Sequence, residues 1–257
     1  RQLRWGGGVS TGTASISVDT RGDSSRFTLA LDSNRLPLLW LVAGQGRPTR
    51  ETAYRGRLSA TGNTPREVAA SLDGALLFRG GGERLDNADV DLLLGSTLEA
   101  VVERINPFTE SESHTELECH AAAVAFDQGV VQLAPGIALR TGKVDINIQG
   151  AADLRDESLG VTFRTRARKG IGISASKLVT PFVKVAGNFA HPFLTMDPEA
   201  MVVTGGAAVA TAGLSVVAGS LYQRWRAGRE DPCELVLEDA GKLDSGRFDT
   251  LLQGMPQ

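Results

Sequence analysis

The 257 residues are 42% apolar and 22% charged, a balance that supports a buried core and excludes a chain disordered throughout. The net charge of -3 is spread along the sequence with no basic stripe, which argues against nucleic acid as a partner. The length suits one continuous β-rich architecture.

The chain opens at Arg1 with neither an initiator Met nor a charged-then-apolar leader, and it is expected to be a piece of a longer protein whose targeting signal or anchor lies upstream. Two runs then alternate small or apolar with polar residues, 14–19 and 27–32, on either side of Arg21-Gly22-Asp23. They predict a strand, a turn and a strand with one buried face. A Pro/Gly-rich passage at 44–49 leads to a third strand over 54–61, where Arg55 and Arg57 alternate with Tyr54, Gly56 and Leu58. Thr64-Pro65-Arg66-Glu67 is a helix start: the Thr hydroxyl can accept from the first turn, Pro fits the first helical position, and Glu67 can close a capping box. The helix is expected to end near Leu72, followed by an apolar strand over 74–78 and a break at Gly80-Gly81-Gly82. Leu94, Leu98, Val101, Val102 and Ile105 recur at helical spacing and predict an amphipathic helix over 88–105, ended by Asn106-Pro107. Strands follow. Val144, Ile146 and Ile148 face one way, a polar turn spans 153–158, and Val161, Phe163 and Thr165 alternate with Arg164, Arg166 and Arg168. After a helical-looking bend near 171–181, strands are expected at 182–187 and 193–196. The segment 200–223 carries no charge and is rich in Ala and Gly. It has the length of a membrane span but little Leu, Ile or Phe, so a helix packed over the end of the sheet is preferred to a spanning or surface-lying one.

No catalytic constellation emerges. Asp86, Asp89 and Asp91 lack the glycine and terminal Glu of an EF-hand and read as a solvated helix start. Gly80-Gly81-Gly82 lacks the Gly-Lys of a phosphate loop and reads as a bulge or turn, as does Gly6-Gly7-Gly8. His114, His120 and His191 have no metalloprotease spacing, and a metal site joining His120 and Cys119 to Cys233 and His191 would need several proximities at once. Cys119 and Cys233 either form one disulfide in an oxidising compartment or stand as two separate buried thiols. Arg164, Arg166 and Arg168 share one face of a strand and could meet lipid phosphates; a solvated face or a charged edge is the commoner arrangement.

Several segments, in order, resemble the C-terminal region of the AsmA family: Thr64 to Gly74 with Asp89 and Gly95; Asn106-Pro107-Phe108 with Thr115 to Cys119; Gly142 to Gly150 with Asp153 to Glu157; and Pro181-Phe182, Val185-Ala186-Gly187, Pro192 and Asp231-Pro232-Cys233. Together they cover about 60–235. The resemblance implies a periplasmic protein held to the inner membrane by an upstream helix. It also implies a mainly β (α+β) fold, a long curved antiparallel sheet forming a U-shaped hydrophobic groove, with a few amphipathic helices including a C-terminal Gly/Ala-rich helix. Residues 1–240 are expected to form the domain and 241–257 a tail. The expected function is non-enzymatic, without metal or cofactor: handling of phospholipid or another envelope lipid in outer-membrane biogenesis, with contact to a membrane surface. The alternative is an assembly factor that binds outer-membrane proteins by strand addition. Val144, Ile146, Ile148, Val161, Phe163, Val183 and Val185 are the expected groove lining, and Arg164, Arg166 and Arg168, on the other face, the possible headgroup contacts. Strands with one apolar face and few helices to cover it also suit a trough, although a closed two-sheet sandwich meets the same demand.

Overall fold

A computed structural model describes residues 2–7, 10–34, 52–86, 114–142, 144–168, 182–195, 231–253 and 255. Among them the chain is mainly β. The strands are β1 (Gln2–Gly7), β2 (Ser10–Asp19), β3 (Arg26–Ser33), β4 (Ala53–Thr61), β5 (Asp73–Gly80), β6 (Glu83–Asp86), β7 (His114–Asp127), β8 (Val130–Thr141), β9 (Val144–Asp153), β10 (Ser158–Ala167), β11 (Phe182–Asn188) and β12 (Pro192–Thr195). The helices are α1 (Pro65–Ala70), α2 (Pro232–Leu243) and α3 (Ser245–Leu252). The expected helix over 88–105, the bend near 171–181 and the uncharged segment 200–223 lie outside the described residues.

All the described strands belong to one antiparallel sheet whose order follows the chain, so they do not form two separate sheets packed face to face. The single departure is instructive. β5 and β6 both pair with the long β7, one after the other, and Gly81-Gly82 joins them opposite a register shift between Leu117 and Cys119. The glycine triplet is therefore an interruption within one continuing edge, as its composition suggested. Gly6 and Gly7, by contrast, pair in β1 with Thr11 and Ser10.

Two other glycines bend the ladder. Gly136 and Gly150 have φ of 99° and 144°, and a Cβ on either would come within about 2 Å of a neighbouring strand's carbonyl oxygen. Only glycine takes this conformation without cost, and such positions are where sheets kink. Gly136 lies in the register irregularity between Leu133 and Ile137.

The start of α1 follows its sequence signal with one change of partner. Thr64 Oγ1 accepts from the Glu67 amide at 3.2 Å, while Glu67 Oε2 accepts from the amide of Asn63, one residue before the cap. The helix ends at Ala70, with Ser71 as its cap.

One face of the sheet carries α2 and α3, and it is called the helix face here. Ala75, Leu77, Ala121, Ala123, Ala125 and Ala138 form a floor of mostly small side chains, which lets Val236, Leu237, Ala240, Phe248 and Leu251 approach closely. The division expected at 240 is thus corrected: α2 runs through it to Leu243, and Phe248 and Leu251 are 1% and 2% exposed. Apolar spacing at Phe248, Leu251 and Leu252 docks this stretch where a polar tail would have trailed away.

Candidate functional site

Directly opposed residues of an antiparallel pair share a face. Following the register across the sheet therefore identifies which side chains line the far face, opposite the helices. One row runs Tyr54, Phe78, Ala122, Ile137, Ile148, Phe163 and Val183, through seven consecutive neighbours from β4 to β11. A second begins at Ile16, Leu29 and Leu58 in β2 to β4. Across β8 to β12, Leu133, Gly150, Val161, Val185 and Leu194 form another. The far face is thus apolar from β2 to β12. Among the described residues, its densest cluster, Ile148, Phe163, Val183 and Val185 with Leu133, Ile137, Ile146, Leu159, Val161 and Leu194, is built of strand residues alone.

The structure brings Val144, Ile146, Ile148, Val161, Phe163, Val183 and Val185 onto this face in three neighbouring strands. Ile146 and Val161 are half-buried and the other five buried. Local alternation missed the continuation of the same face into β2 and β3, where Ile16 and Val18 are 48% and 54% exposed. The alternation at 14–19 was visible, but which face it joins depends on non-local register. Phe189 and Phe193, in and beside the β11–β12 turn, are also exposed.

Arg164 and Arg166 of β10 lie on the helix face, away from this surface, and they and Arg168, just past the strand, have partners within the chain. Arg164 bonds Gln149, Arg166 reaches Asp145 at 2.5 Å, and Arg168 reaches Glu118 at 2.6 Å and the Thr141 carbonyl at 2.7 Å. Asp145, whose side chain is only 2% exposed, also accepts from Arg140 Nε at 2.8 Å. Arg140 in turn donates to Asp231, the N-cap of α2, at 2.6 Å. Burial alone would lower the Arg140 guanidinium, but the bond and charge of Asp145, with Asp231 and Glu118 nearby, hold it raised. The charge ladder ties α2 to β8, β9 and β10.

Beside this ladder Cys119 and Cys233 form a disulfide, with Cα atoms 6.4 Å apart. Their sulfurs and the Asp231 carboxylate are mutually close, but the sulfurs are bonded to each other and Asp231 caps the Cys233 amide and pairs with Arg140. Cys119 pairs across the ladder with Arg140, whereas His120 pairs with Gly80 and Leu139 on the far face. The adjacent Cys and His therefore point to opposite sides of the sheet and share no site. His191 is exposed in the β11–β12 turn.

His120 is fully buried. Its Nε2 lies 3.0 Å from Thr52 Oγ1, and its ring packs 6.2 Å from that of Phe78. Burial pushes its pKa down to about 4, so the imidazole is neutral near pH 7.

Among the described residues, no helix is long and apolar enough to cross a membrane. Compared with known proteins, the chain matches no family model, no curated protein and no solved structure.

Proposed function

We propose that this chain is a non-enzymatic lipid-handling domain of AsmA type, in which the sheet curls around its far face to form a trough that shields acyl chains of phospholipid or another envelope lipid between the inner and outer membranes of a bacterial cell. The observation that carries the reading is the apolar far face, continuous from Ile16 in β2 to Leu194 in β12 and opposite the face on which the C-terminal helices sit. Such a surface suits a ligand that is itself long and apolar. Burial of a methylene is worth about 0.8 kcal/mol, so roughly ten buried methylenes correspond to about 8 kcal/mol, the scale of micromolar affinity before ordering costs. The Cys119–Cys233 bond is the kind of linkage that persists in an oxidising compartment such as the periplasm, which supports that location.

The test is native mass spectrometry with lipid extraction on the chain exported to a periplasm and purified gently. Phospholipid or lipid A should co-purify. It should be lost from an Ile16→Glu, Ile146→Glu double variant whose circular dichroism is unchanged, and retained by Ser17→Glu on the helix face. A folded wild-type chain that carries no lipid would sink the reading. If that chain instead captured outer-membrane strands through β1 or β12, function would pass to strand addition.

A further inference from the structure

His120 is the one imidazole among the described residues on the far face of the central strands, and its surroundings suit only its neutral form. The Gly80–His120 pair is the last between β5 and β7 before Gly81-Gly82 interrupts the ladder. The ring occupies the space above Gly80: a Cβ there would lie 2.6 Å from Nε2 and 2.4 Å from Thr52 Oγ1. Thr52 answers Nε2, and Nδ1 has no partner among the described residues. No described carboxylate stands ready to pair with a proton taken up here. Arg79 and Arg140, on the strands to either side, face the helix side and engage Glu234, and Asp145 and Asp231. Glu118, in the β7 irregularity, engages Arg168. The phenol of Tyr54, one ring beyond Phe78, is the nearby ionisable group that shares the far face.

A neutral ring can share one proton with the Thr52 hydroxyl. A charged ring would present two donors to one acceptor, with no described counter-charge beside it, and an unpaired buried charge is among the costliest groups a protein can hold. We propose that His120 makes the junction of β5 and β7 an acid-sensitive latch: proton uptake expels the ring from between Gly80 and Thr52 and opens the sheet at its central strands. The inference does not depend on lipid binding, although opening at this point would discharge a chain lying along the far face.

The sign follows from linkage. The closed state binds the proton with the depressed pKa of about 4, and the open state with the ordinary value of 6.5. Opening is thus least favoured above 6.5, and its equilibrium constant rises about tenfold per pH unit from there until near pH 4, where the closed state takes the proton too. Hydrogen exchange of the lipid-free full chain, corrected for intrinsic rates, reads this directly. Between pH 7 and 4.5, segments 73–80 and 114–127 should lose protection with that slope while 158–167 holds, and His120→Gln, which cannot charge, should be flat. Unchanged protection in the wild type, or the same loss in His120→Gln, overturns the proposal. Should that variant fold poorly, the wild-type His120 ring signal in NMR decides: a midpoint near 6.5 with the strands still protected contradicts the latch, and a midpoint well below it, moving with the loss of protection, upholds it.

Discussion

Asp145 carries more of the structure than its place in an alternating strand suggests. As one of the residues facing away from Val144 and Ile146, it reads as solvent-facing, yet its side chain is 2% exposed because Arg140 and Arg166 close over it. Removing one partner of a buried ion pair strands the others, typically at about 3–5 kcal/mol. Here both guanidinia keep some solvent contact, and Arg140 also holds Asp231, so Asp145→Asn is expected to cost about 2–3 kcal/mol. The check is the urea midpoint, with Asp145→Asn/Arg166→Met as control: the double variant should be more stable than the single one, since it removes a stranded cation. A single variant as stable as the wild type would mean that the ladder does not bear on folding. Sequence showed Arg164, Arg166 and Arg168 as a set but not their partners, because Glu118, Thr141, Asp145 and Gln149 come from three other strands and meet them only through register.

At the scale of elements, what sequence displayed best was local chemistry. The cap at Thr64, the alternation in β2, β3, β9 and β10 and the break at Gly80-Gly81-Gly82 each act within a few residues, and each is found in place. The pair α2 and α3 was missed although its signals are local too: Asp231 as N-cap, Pro232 at the first position, and Leu235, Val236 and Ala240 at helical spacing. Its docking surface was harder to see, since Ala121, Ala123 and Ala125 alternate with other small or apolar residues and give little contrast between faces. Whether Cys119 meets Cys233 depends on that same docking. The bond closes a separation of 114 residues. In the chain-entropy account a loop of that size is worth about 4–5 kcal/mol. Reduction, or Cys119→Ser with Cys233→Ser, should therefore lower the unfolding free energy extrapolated from urea denaturation by about that amount while the helix pair stays docked through Val236, Phe248 and Leu251. Proteolysis within 241–246 on reduction alone, under native conditions, would show that the apolar contact is too weak to hold the helices.

At the scale of the whole molecule, one ladder has two unlike faces. The helix face is covered by α2 and α3 over β5, β7 and β8 and crossed by ion pairs over β8 to β10, while the far face repeats apolar residues from strand to strand. The mainly β class and the one-sided character of each strand were legible in the sequence. That the sides join into one surface was not, because it needs the register of every neighbouring pair. Adjacent positions of β2 put the two faces side by side: Ile16 and Val18 are exposed on the far face, while Ser17 turns to the helix face and bonds Thr28 at 2.6 Å. A photo-crosslinking side chain placed in turn at 16, 17 and 18, in cells exporting the chain, tests the central claim most directly. Lipid adducts at 16 and 18 but not at 17 are the predicted result, and adducts at all three positions, or at none in a chain shown to be folded, would contradict it.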